Sequence, residues 1–432
     1  MQAEGLGSGT SSLARHNKAS PDKEAGQMAA KASDPTGGFL AERLTRGGDG
    51  HLRPHDGLIT GYVFKLIRES VGLSQDGLAD VLGLDKNTIQ GWESGRRPLA
   101  RMRTATFVDL RRRLGRLGAK SHMVKALETA MEADSLLAQI LAVESKHLDP
   151  RGHPLATWVN NHAFTEMLAW PLTGETPSAL AGIPRVARRG PVPSAPSLPA
   201  VERQCFFEHL KIASEQSLAA GDGSEASSVL LRRQAYYMIA WSREDETRTW
   251  LSDMQRQEQR RIRRLDGWSP LWVAARSLAV ARSCQGDKEP LLHFVDTAID
   301  ASDVCEAANL NYWAYWAGAT AQAEYTDEFM ATDLGPWAGA TLLRRLQENL
   351  TGPQPYIELS VHSIWALLQR RGGILEEDAQ LTSSLFDKIG ALLDQGQVSP
   401  RSRKKLEQVY FAARVAQSKI GEHPHSGSPG HA

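Results

Sequence analysis

Hydrophobic positions fall into two long helical stretches with a proline-rich interval between them. From 57 to about 150, apolar residues recur at three- and four-residue spacing in several segments separated by glycines. The same spacing returns from 201 to 418, as in Leu230, Leu231, Gln234, Ala235, Met238 and Trp241, or in Leu343, Leu346 and Leu350. Strand-like alternation is scarce, so the pattern predicts an all-α fold. Seven prolines stand between 171 and 199 (Pro171, Pro177, Pro184, Pro191, Pro193, Pro196 and Pro199), which predicts an extended linker over 151–200. Breaks at Gly286, Gly335, Gly372 and Gly396 divide the second stretch, 201–420, into a helical array with a loose likeness to tetratricopeptide-type solenoids and no clean repeat consensus. Residues 1–56 and 421–432 carry too few apolar groups to repay ordering and read as disordered tails.

The densest local information lies between Leu73 and Pro98. Ser74 is an N-cap type, and Leu78 and Leu82 share one helix face behind it. Gly83 then stops that helix, because only glycine takes a left-handed turn without a Cβ clash. Leu84 is expected to bury the corner, Asp85 to cap a second helix, and Ile89 and Trp92 to continue the apolar face, with small Ala79 where the helices approach. Two short helices over one glycine turn make a helix-turn-helix whose second helix fits a DNA major groove. Beyond Pro98, Leu99, Met102, Leu110, Leu114 and Leu117 predict one longer helix decorated by Arg111, Arg112, Arg113 and Arg116, and residues 123–145 predict another, amphipathic one that is a dimer seam or, more simply, core.

This segment resembles the phage-repressor and Cro-like (Xre) helix-turn-helix family over roughly 61–117, through Leu73, Gln75, Leu78, Ala79, Leu82, Gly83, Ile89, Trp92, Glu93, Gly95, Arg96 and Pro98. A repressor-like module ahead of a long Trp- and Arg-rich helical region is similar to large actinobacterial regulators. The resemblance implies that Gln75 meets a phosphate or the outermost base, and that Lys86, Asn87 and Thr88 open the recognition helix toward base edges. Arg96 and Arg97, just past it, then reach the backbone. Lys donates to guanine O6 and N7, and Asn pairs bidentately with adenine. Two positions depart from the family: Gly77 replaces the usual capping-box Glu, and Gly91 stands where relatives often carry a reading side chain. Readout is therefore expected to rest on Lys86, Asn87, Thr88 and Gln90.

Charge sharpens this picture. The chain is formally neutral, yet 51–125 holds 14 Lys and Arg against 7 Asp and Glu, a local +7 that suits a polyanion. A mean hydropathy of -0.37, with no apolar run near the ~18 residues of a membrane span, and no leader-like start predict a cytoplasmic protein. Cys205, Cys284 and Cys305 fit neither a disulfide framework nor a zinc site. Gly5, Gly7 and Gly9 lack the context of a phosphate loop, and no nucleophile elbow or paired-His motif follows. The expectation is a non-enzymatic transcriptional regulator without cofactor or metal, binding double-stranded DNA as a homodimer. Its C-terminal helices would dimerise, meet a partner protein or sense a small effector, with Tyr312, Trp313, Tyr315 and Trp316 near Glu324, Asp327 and Glu328 as pocket or, more simply, core. The competing reading is a helical interaction scaffold with a vestigial or protein-binding helix-turn-helix.

Overall fold

The computed structural model describes residues 55–142, 149–183, 194–220, 225–261, 267–320, 322–350, 354–396 and 398–422. Almost all of both expected tails lies outside them. Among the described residues every regular element is helical, with seventeen α-helices. The first six are α1 (Leu58–Ser70), α2 (Gln75–Leu82), α3 (Lys86–Glu93), α4 (Thr104–Arg116), α5 (Ser121–Ala142) and α6 (His162–Thr173). The array continues with α7 (Ala200–Ala219), α8 (Ala226–Ile239), α9 (Glu246–Arg261), α10 (Pro270–Cys284), α11 (Glu289–Phe294) and α12 (Asp303–Trp316). It ends with α13 (Gly339–Glu348), α14 (Ile357–Arg370), α15 (Ile374–Glu377), α16 (Ala379–Gln395) and α17 (Pro400–Glu422). No helix among the described residues is long and apolar enough to cross a membrane.

One apolar core starts at Ile59 and Phe64 of α1, takes in Leu78, Ile89, Leu127 and Trp170, and runs on to Leu210, Tyr236 and Leu278. The second starts at Trp272 and is built mainly from α11, α12, α13, α14, α16 and α17. The change of core therefore falls within α10, not in the proline-rich interval. This corrects the linker reading for the described part of 151–200. Helix α6 packs against both α1 and α5 there, with Trp170 buried and its ring edge-on to Tyr62 at 5.2 Å between centroids.

The prolines are tolerated because of where they stand. Pro171 is in the last turn of α6, which ends at Gly174 with a φ of 82°. There the missing N–H forfeits a single bond. Pro177 and Pro199 precede the first residues of a short 3-10 turn and of α7, and Pro171 O accepts from Leu198 N at 3.2 Å. Nor does the C-terminal half keep the neighbour-only contacts of a solenoid, since α14 packs against α11, α12, α13 and α17.

Helix α1 has no side-chain cap of its own at Gly57. Its cap comes from α5: the buried Asp134 carboxylate accepts from Ile59 N and Thr60 N, both at 2.8 Å, and from Thr60 Oγ1 at 2.6 Å. Burial pushes this carboxyl up to about 7, against the downward pull of those three donors. The stretch after Pro98 also differs from expectation. A 3-10 turn over Leu99–Arg101 comes first and α4 begins only at Thr104, with Phe107, Leu110 and Leu114 as its buried stripe. Helix α5 is core as expected, with Val124, Leu127, Leu137 and Ile140 buried.

Candidate nucleic-acid interface

Local capping rules build α2 and α3. Ser74 Oγ accepts from Gly77 N at 2.9 Å, so the N-cap forms without the reciprocal glutamate. Gly83 is left-handed (φ 68°) and closes α2 through bonds from its own N–H and that of Leu84. Asp85 caps α3 by accepting from Asn87 N at 3.0 Å. Leu78, Ala79, Leu82 and Ile89 are buried beneath this turn, and Trp92 is half-buried with its ring edge-on to Phe64. Leu84 does not bury the corner: it remains 39% exposed beside Val81. The Gly83 turn ends α2 before Leu84 reaches the face shared by Leu78 and Leu82.

A buried ion pair seats α3 on α1. Arg68 Nε donates to Glu93 Oε1 at 2.5 Å, with both side chains under a tenth exposed. Arg68 Nη1 reaches Leu73 O at 2.7 Å, and Glu93 Oε2 also accepts from Gln75 Nε2 at 2.6 Å. Gln75 Oε1 in turn accepts from Gln90 Nε2 at 3.2 Å. Such a network fixes the angle between the two motif helices. Gly61 completes the seat, because a Cβ there would stand 2.5 Å from Trp92 O.

The seven candidate reading residues divide by environment. Lys86 and Asn87 are exposed at the start of α3. Lys86 Nζ meets Asp76 Oδ2 at 2.8 Å, a solvated pair worth well under ~1 kcal/mol that a guanine edge can displace. The Asn87 amide makes no side-chain hydrogen bond to the described residues. Thr88 is half-buried and its Oγ1 accepts from Arg97 Nη1 at 3.0 Å. Gln75 and Gln90 are half-buried and bonded to each other, so their first task is to hold α2 on α3. Arg96 is exposed with Nε on Ser94 Oγ.

Arg97 supplies what the sequence left unread. A Cβ on Gly91 would lie 2.9 Å from Arg97 Cδ, so the missing side chain is what lets Arg97 fold back along α3. Its N–H on Gly91 O at 2.9 Å anchors the turn. A cation thus occupies the helix face where relatives often place a reading side chain. The signal available in the sequence was the pairing of a mid-helix glycine with a long cation six residues later.

Among the arginines of α4, Arg111 pairs with Glu128 and Arg113 Nε with Asp109 Oδ2 at 2.8 Å, whereas Arg112 and Arg116 are exposed. Elsewhere Asp300, Glu306 and His362 bring three ligand atoms within 4.8 Å. Lys405 Nζ is already inside that cluster, 2.6 Å from His362 Nδ1 and 3.2 Å from Asp300 Oδ1, and Arg370 Nε meets Glu306 at 2.8 Å. This is an ion-pair network, with its acidic charge matched by side chains.

Residues 64–102 match a family model described as helix-turn-helix. No curated protein and no solved structure matches the chain. The match begins inside α1, covers α2, the Gly83 turn, α3 and the following 3-10 turn, and coincides with the segment whose caps and seat are described above. Residues 64–102 are a helix-turn-helix, consistent with the resemblance to the phage-repressor and Cro-like (Xre) type, and the regular elements described after it are all helical.

Proposed function

We propose that the chain is a sequence-specific, DNA-binding transcriptional regulator that acts by occupying an operator, with α3 in the major groove. The single observation that carries this reading is the start of α3: Lys86 and Asn87 stand exposed on a fully capped helix whose opposite face is locked by Ile89 and the Arg68–Glu93 pair. Asn87 reads adenine, Lys86 reads guanine, and Arg97, laid along the same helix, approaches a base edge or the adjoining phosphate. Arg96, Arg103, Arg112 and Arg116 are exposed cations that supply sequence-independent attraction.

Eight residues of recognition helix carry too little information for one operator, so the protein binds as a homodimer on paired half-sites. It works in the cytoplasm, needs no cofactor and performs no chemistry. The larger helical region supplies the dimer contacts and answers to an effector.

The test is a titration of the intact chain against its genomic sites and against random duplex at several salt concentrations. Roughly four to six phosphate contacts give a slope of log affinity on log salt near −4 to −5, together with a clear preference for the genomic sites. Absence of any complex at low salt would sink this reading in favour of a protein-interaction scaffold.

A further inference from the structure

A cavity that no residue of α1–α5 lines has the chemistry of a ligand site. It is walled by α8, α10, α12, α13 and α14, with His162 and Thr165 of α6 and Asn160 ahead of it. Its apolar wall is aromatic: Tyr237, Tyr312, Trp313, Trp316 and Tyr356. Most of these rings sit edge-on or tilted to one another, as Tyr237 does to Trp316 at 5.4 Å, and His162 stacks on Trp316 at 5.5 Å. The half-exposed His162 and Arg345 mark the mouth.

The polar groups of the wall are unbalanced. Arg233 is buried and answered by Asp327 through two bonds, Nε to Oδ2 at 2.9 Å and Nη2 to Oδ1 at 2.5 Å. Arg345 is answered by Glu348 at 3.2 Å. Arg276, only 4% exposed, has no carboxylate partner among the described residues. Its Nε donates to Asn309 Oδ1 at 3.0 Å, its guanidinium lies over Tyr312 at 4.5 Å and over Trp313 at 5.5 Å, and its Nη2 has no hydrogen-bond partner. Asn160, 3% exposed, leaves both Oδ1 and Nδ2 without partners in the same wall. Its own backbone N–H is held by Gln234 Oε1 at 2.7 Å, which fixes where that amide stands. Buried cations and amides are costly unless paired, so a cavity that collects a guanidinium with one unanswered donor and one unanswered amide calls for an anion with a hydrogen-bonding edge.

Size limits the candidates. About 80 Å³ is open to the centres of water-sized molecules. At the ~10–15 Å³ that one water centre needs, the enclosed space holds roughly five to eight waters, which suits a small ligand.

We propose that this cavity binds a small monocarboxylate with a flat apolar body, its carboxylate on Arg276 and Asn160 and its body against the Tyr312–Trp313–Trp316 wall. Arg276 is the selective element, because guanidinium to carboxylate is the strong, directional contact. The site is a concrete candidate for the effector response suggested above, but binding here does not depend on the DNA-reading assignment.

Benzoate is the probe, added to the full-length chain and followed by calorimetry and by thermal unfolding. The expected result is saturable binding at millimolar or better affinity with a rise in Tm, while benzyl alcohol and benzylamine, which share the ring and lack the anion, give at least tenfold weaker effects. Arg276→Met, an unbranched apolar replacement, should weaken benzoate binding tenfold or more with the far-UV spectrum unchanged. Should that variant fail to fold, Asn160→Leu provides the same reading at the other polar contact. No saturable binding up to about 10 mM, equal responses to benzoate and benzylamine, or wild-type affinity in a folded Arg276→Met chain would each overturn the proposal.

Discussion

The helix-turn-helix and the C-terminal array spend buried charge in opposite ways. In the former, Arg68, Glu93, Gln75 and Gln90 form a closed set in which charge is answered locally, and the exposed face of α3 is left to meet a partner. In the array, Arg232 and Arg233 are both buried yet answered by Glu258 and Asp327, while Arg276 keeps one unanswered donor in a cavity. One region holds its polar groups rigid so that a surface can read. The other holds most of them rigid so that one interior position can accept a ligand. The two are not separate bodies, because the core beneath α3 continues through α5, α6 and α8.

That continuity gives the largest expected effect. A fragment limited to 55–142 exposes the face of α5 that packs on α6 and α7, so it should lose the cooperative unfolding transition of the intact chain, as read by circular dichroism against temperature. A fragment that melted at the temperature of the whole would mean that the reading module stands alone and does not share its core with the array.

Next in size is Glu93→Ala, which removes the nearer of two carboxylates from Arg68 and leaves it Leu73 O and Glu69, the latter at 3.6 Å. Breaking a buried pair from one side costs about 3–5 kcal/mol, visible as a lower denaturation midpoint with every DNA weakened together. A loss under ~1 kcal/mol would place the pair among solvated ones.

Asp134 offers a third handle, through pH. Its carboxyl is raised from 3.8 to about 7 by burial, so the folded state holds the proton more tightly than the unfolded chain does. Its stabilising contribution is therefore full below about pH 4 and is lost as pH rises through about 7. Denaturation of wild type and Asp134→Asn across this window should differ in slope, the wild-type decline reaching on the order of 2–4 kcal/mol and the variant showing a flatter one. Parallel curves would show that the three donors outweigh burial and keep the carboxylate ionised.

What the sequence disclosed was local. Ser74, Gly83 and Asp85 act within two or three residues of themselves, so their caps were readable from residue type and spacing, as were Leu78, Leu82 and Ile89. Failures came where a residue answers to something distant or to its place within an element. Pro171 looked like a helix breaker, but it stands in a last turn. Gly91 looked like a missing reader, but Arg97 fills its place. Asp134, Arg233 and Arg276 drew no notice because their partners or their cavity lie 74, 94 and 33 or more residues away. Among the rings of α12, Tyr315 is core as expected, whereas Tyr312, Trp313 and Trp316 also line the cavity.

Base reading by α3 is tested by comparing Asn87→Ala with wild type on a specific site and on random duplex, each at two salt concentrations. Base reading by α3 predicts a loss of about 1–3 kcal/mol on the specific site, little change on random DNA, and an unaltered salt slope, with the fold intact by thermal melt. Equal weakening on both DNAs would contradict it, and would move sequence reading away from the start of α3.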